Sequence, residues 1–124
     1  MLKDSLYKIL SAEHREGMIT AILELDKDNS IFAGHFPGRP VLPGACMLQM
    51  VREILETELG RFLRLKKAGQ MKFLELTDPR VNHIVELTIS YTNAADDTID
   101  VSATLTAKTI TCFKFRGNFI AVRA

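Results

Sequence analysis

The sequence predicts an α+β domain in which an antiparallel sheet wraps around one long central helix. Three observations predict it. The C-terminal half alternates apolar and polar residues. A helical stretch after Pro43 begins apolar on nearly every face. A Pro- and Gly-rich segment immediately precedes that stretch. Period two marks half-buried strands, and a helix that is apolar all round has to be surrounded. A chain of 124 residues suits a single domain over residues 1–124, long enough for one core and short of two.

Residues 1–15 predict a short N-terminal helix docked by Leu6, Ile9 and Leu10, and Met18 to Leu25 predict a strand. A strand-like piece, Ile31 to Ala33, leads into "GHFPGRPVLPG". Proline fixes its own φ and restricts the residue before it, so Phe36, Arg39 and Leu42 are pushed toward extended dihedrals. Pro43 suits a helix start, because its missing N–H would have no intrahelical partner there, and Gly60 suits a stop. Between them, Ala45, Cys46, Met47, Leu48, Met50 and Val51 are apolar. The second half keeps Ile54, Leu55 and Leu59 on one side and Arg52, Glu56 and Glu58 elsewhere.

Gln70 to Leu76 predict a further strand, ended by Thr77-Asp78-Pro79. Val85, Leu87, Ile89 and Tyr91 alternate with Glu86, Thr88, Ser90 and Thr92; Asn93 to Asp97 supply turn chemistry; Ile99 to Lys108 alternate again. Thr109 to Phe115 and Phe119 to Val122 predict two last strands separated by a tight turn at Arg116-Gly117-Asn118.

The net charge of +1 offers no broad basic field, which argues against nucleic-acid or membrane-surface binding. The sequence contains no run long enough to span a bilayer and no secretory segment at its start, and Cys46 and Cys112 sit in apolar surroundings. The expected compartment is the reducing cytoplasm. His14 and His83 have no ligand partners at metal spacing, so no metal is expected and both read as surface or strand-end residues.

Two features carry chemistry. His35 stands in the stiff segment, where it either hydrogen-bonds the turn or serves as a pre-positioned general base. The helix start adds unpaired N–H groups near Gly44 and Ala45, where the macrodipole favours negative charge and a thioester carbonyl would be polarised.

Taken together, "GHFPGRPVLPG", the helix after it, "MKFLELTDP" and "CFKF" resemble the 3-hydroxyacyl-acyl carrier protein dehydratases, over about residues 17–123. The resemblance implies a hot-dog fold and a homodimer, extended or not into a higher assembly, with two active sites at its interface. It implies His35 as base or proton shuttle at the α-carbon, Gly44 as the carbonyl-binding amide, and Phe36, Pro43 and Ala45 beside the substrate. The substrate would ride on phosphopantetheine, from acyl carrier protein or as an acyl-CoA, without a further cofactor.

That family carries an acid on the central helix where this chain has Gln49, and many members follow it with glutamine four residues later; here Glu53 follows. The pair is reversed. Glu53 is either a displaced acid, its pKa raised by burial, or a solvated or salt-bridged surface residue. Arg61, Arg64, Lys66 and Lys67 are expected just past the helix end, where they complement the dipole or dock an acidic carrier protein. The leading expectation is a dehydratase of fatty-acid or related lipid or polyene synthesis. The alternatives are an acyl thioesterase and a catalytically weak acyl-binding partner of an active homologue.

Overall fold

The computed structural model describes residues 1–32 and 41–122. Among these, six strands form one sheet: β1 (Tyr7–Arg15), β2 (Met18–Leu25), β3 (Leu63–Phe73), β4 (Ile84–Asn93), β5 (Thr98–Ala107) and β6 (Ile110–Ala121). Their order is β1-β2-β4-β5-β6-β3, with every neighbouring pair antiparallel. The helix α1 (Gly44–Leu59) packs on the apolar face.

The alternation read in the sequence dictates that face. Leu23, Leu87, Leu105 and Phe113 come from four successive strands and meet Met50, Val51, Ile54 and Leu55 of α1 in one buried cluster. Removing such a fully buried side chain costs about 2–5 kcal/mol, because lost transfer energy and an unfilled cavity add. The helix begins and ends where expected: Pro43 precedes its first turn, and Gly60, at φ 66°, donates its N–H to Glu56 O at 2.9 Å. The α1 helix is less enclosed than its composition suggests. Ala45 is exposed, and Leu48 and Gln49 are half-buried, so the first two turns keep one open face.

Four expectations are corrected. Residues 1–15 hold no helix: Tyr7–Arg15 pairs with β2, from Tyr7 opposite Leu25 to Arg15 opposite Met18, with a bulge between Ile9 and Ser11. The helical spacing of Leu6, Ile9 and Leu10 is overridden by the open edge of β2, and Leu10 ends up exposed. The β3 strand starts at Leu63, well before Gln70, and stops at Phe73. Only Leu63 within it is buried, so no alternation announces it. The Ile31 region forms a 3₁₀ turn, Ser30–Phe32, in place of a strand.

Finally, β6 runs unbroken through Arg116-Gly117-Asn118. A Cβ on Gly117 would lie 2.2 Å from Lys67 O. This glycine therefore serves the close approach of β3 to β6, whose register shifts twice nearby, and not a chain reversal. The reversal between β4 and β5 does fall in the expected Asn93–Asp97 stretch, where Asp96 and Asp97 both take φ 59°.

Candidate active site

The site is built at the start of α1. Pro43, at φ −65° and ψ 146°, offers no side-chain cap; its carbonyl accepts from Cys46 N at 3.0 Å and Met47 N at 3.1 Å. Among the described residues, the N–H groups of Gly44 and Ala45 have no backbone acceptor. These orphan donors lie at the positive end of the helix dipole, over 16 residues of aligned peptides.

Gly44 allows a close contact here. A Cβ on it would come within 2.5 Å of Phe73 Cε1, so the phenyl ring at the end of β3 lies directly against the glycine backbone. Beside the ring is a cleft of about 170 Å³ lined by Leu42, Pro43, Met47, Leu76 and Thr77. Leu42 N donates to Thr77 O at 2.8 Å, which fixes the segment leading to the helix against the one leaving β3. Anion-favouring N–H groups thus stand at the lip of an apolar cleft, an arrangement that suits a polarised carbonyl at the head of an acyl chain.

One turn along, Gln49 Nε2 donates to Glu53 Oε2 at 2.8 Å. Glu53 is wholly buried and also accepts from Leu2 N at 2.8 Å, Lys3 N at 2.9 Å and the Tyr7 hydroxyl at 3.1 Å. Burial pushes its carboxyl up, but the donors from Leu2, Gln49, Lys3 and Tyr7 outweigh burial and hold it below the usual carboxylate range. The neighbouring Tyr7 phenol is driven far up, by burial first and then by the Glu53 charge and hydrogen bond, so it stays a neutral donor. Both expectations for Glu53 are corrected: it is neither a carboxyl raised by burial nor a surface charge. It is an ionised anchor tying the N-terminal segment to the helix. No local pattern reveals this, because three of its four donor residues, Leu2, Lys3 and Tyr7, lie far away in the chain.

The structure thus brings Pro43 and Gly44 to the cleft, leaves Ala45 exposed beside them in the chain, and sets Gln49 on Glu53. His35 and Phe36 lie outside the described residues. The four cations do not cluster at a helix end. Arg61 lies in the connection after α1 and pairs with Asp97 at 3.5 Å; Lys66 Nζ donates to Thr98 Oγ1 at 3.3 Å; Arg64 and Lys67 stand exposed on β3.

His14 is more engaged than its sequence context suggests. Its Nε2 lies 2.5 Å from the Tyr91 hydroxyl and its Nδ1 3.4 Å from Glu58 Oε1. Among the described residues no group of three His, Cys, Asp or Glu could hold a metal. No described helix is long and apolar enough to cross a membrane. Cys46 and Cys112 are free and buried, and burial pushes the Cys46 thiol up.

The family of ApeI-like proteins, described as ApeI dehydratase, matches residues 11–116. The 3-hydroxyacyl-[acyl-carrier-protein] dehydratase FabZ of Rickettsia felis is 24% identical over 110 residues, covering 79% of this chain and 70% of that enzyme. The FabZ of Rickettsia bellii is 24% identical over 97 residues, covering 78% and 61% respectively. The chain thus spans about two thirds of the length of these relatives.

Among solved structures, a chain of the dehydratase heterocomplex ApeI:P from Xenorhabdus doucetiae superposes with a TM-score of 0.78 at 20% identity, over 91% of this chain and 96% of that one. A hypothetical thioesterase with coenzyme A from Streptococcus pneumoniae superposes with a TM-score of 0.68 at 12% identity, over 94% and 85%. The architecture is the hot-dog fold.

Proposed function

The chain belongs to the family of ApeI-like dehydratases, and from that premise we propose that it acts on 3-hydroxyacyl thioesters carried on the phosphopantetheine arm of an acyl carrier protein. The observation that carries this reading is the Gly44 N–H, which has no backbone acceptor among the described residues, at the wall of an apolar cleft. The thioester oxygen accepts from the Gly44 N–H while His35 removes the α-proton. Those electrons form the C2–C3 double bond as the C3–O bond breaks, and the departing hydroxyl leaves as water with the proton returned by the His35 imidazolium. Gln49 holds the hydroxyl, since an amide cannot supply the proton itself. Glu53, ionised and surrounded by donors, is not the acid in this scheme.

The working unit is a homodimer. Among the described residues the β3 strand is a sheet edge that exposes Met71 and Phe73, followed by exposed Leu74 and Leu76, and such an edge invites a second strand. Arg64 and Lys67, exposed on that strand, are left to meet an acidic carrier protein.

A second reading is favoured by Gln49 and by the heterocomplex from which the ApeI relative comes: the chain binds the acyl group and pairs with a homologue that supplies the missing acid. Incubation of the purified protein with a 3-hydroxyacyl carrier-protein thioester separates the readings. An enoyl thioester is expected, and it should vanish in a folded His35→Asn variant. No turnover until a homologue is added supports the second reading, and release of the free acid makes the protein a thioesterase.

A further inference from the structure

We infer that Met47 ends the cleft at the start of α1 and makes it a short-chain site, one that seats about six acyl carbons and whose limit Met47 sets. The inference deepens the proposed acyl-thioester reading and rests on it.

The cleft has a mouth and a floor. Phe73 and Leu76 line it at 55% and 65% exposure, whereas Leu42, Met47 and Thr77 line it at 1%, 5% and 1%. The exposed pair therefore marks the rim and the buried three mark the inner end. From α1 and its entrance come Pro43, Gly44 and Met47, which share one face because residues three and four apart are neighbours on a helix. The next residues on that face are Met50 and Val51. Both are fully buried in the core cluster and neither lines the cleft. The open space along α1 therefore stops at Met47, one turn or about 5 Å beyond Gly44.

Volume gives the length of chain. The cleft holds about 170 Å³. An apolar cavity of about 150 Å³ takes up one benzene, so the space here suits about six carbons. The other two buried walls are joined to each other, since Leu42 N donates to Thr77 O at 2.8 Å. With its carbonyl at the Gly44 N–H, a longer chain has to leave over the rim or push Met47 aside. Met47 belongs to the core cluster, and moving it would open a void there.

The test is calorimetric titration of the purified protein with non-hydrolysable 2-oxoalkyl pantetheine thioethers, which keep a carbonyl, in chains from about four to about twelve carbons. Affinity should rise roughly fourfold with each added methylene up to about six carbons and then level off or fall. Met47→Ala, which removes Cγ, Sδ and Cε, should move that break outward by about two carbons, and Met47→Phe should move it inward. Melting curves identify the folded variants, and either one decides. A steady rise through the longest chain in the wild type would mean that the chain runs out over the rim. A break that stays put in a folded variant would mean that Met47 is not the limit. Each of these results overturns the inference and leaves the acyl-thioester reading standing, whereas binding of no chain at all would overturn that reading and the inference with it.

Discussion

Placing a carboxyl on the central helix, Gln49→Glu, restores the acid that the resembled dehydratases carry, yet by itself it should make a poor enzyme. The substituted position faces Glu53 across a 2.8 Å hydrogen bond, and Glu53 remains ionised because Leu2, Lys3 and Tyr7 still donate to it. The new carboxyl therefore stays protonated at neutral pH, with its proton directed at Glu53. Giving that proton to a leaving hydroxyl would set two carboxylates against each other. At about 4 Å and an effective dielectric of about 20, their repulsion is about 4 kcal/mol. Each 1.36 kcal/mol on a barrier is tenfold in rate, so the penalty is roughly a thousandfold.

The double variant Gln49→Glu, Glu53→Gln removes that penalty and restores the acid-then-amide order. With a neutral amide at position 53, proton transfer from position 49 no longer sets two carboxylates against each other. Mass-spectrometric detection of the enoyl thioester at several pH values, with melting curves to confirm folding, should show the double variant exceeding the single one by up to about a thousandfold. Equal rates in the two folded proteins would refute this account of the pair.

Gly44→Ala should destabilise the protein by about 1–3 kcal/mol through overpacking against Phe73, and Phe73→Leu should recover part of that loss in thermal unfolding. Glu53 has a lowered carboxyl in the folded state, so its contribution to stability is complete above the ordinary carboxylate range and disappears as pH falls through the folded value. Tyr7→Phe should remove about 1.5–3 kcal/mol at neutral pH and less at acid pH, measured by denaturant titration at each. Light scattering should find a dimer, and Met71→Lys on the β3 edge should dissociate it; a stable, active wild-type monomer would reject that interface.

The legible parts of the fold were those whose burial follows a period. The β4 and β5 strands alternate because one face meets α1 and the other meets solvent, and the helix announces itself through Pro43, Gly60 and its apolar first turns. The β1 and β3 strands were illegible or misread for the same reason: both lie at sheet edges, carry almost no buried side chains, and are held by backbone pairing that any sequence can make. Gly117 misled because glycine marks turns and close backbone approaches alike, and only the position of Lys67 distinguishes the two.

The site divides along the same line. Gly44 and the helix start are local features, set by chain chemistry within a few residues, and they stand where the sequence puts them. Glu53 is different, because the state of a buried carboxyl is decided by whatever donors surround it. Four donors arrive here, three of them from the first seven residues, and they reverse the effect that burial alone would have. The exchange of acid and amide between positions 49 and 53 is therefore more than a displacement along the helix. It turns the inner group into a fixed anion and the outer group into an amide that donates to it. On the proposed dehydratase reading, the proton for the leaving hydroxyl then comes either from His35 or from a carboxyl of another subunit, and the rate of the unassisted protein on a 3-hydroxyacyl thioester measures which of these operates.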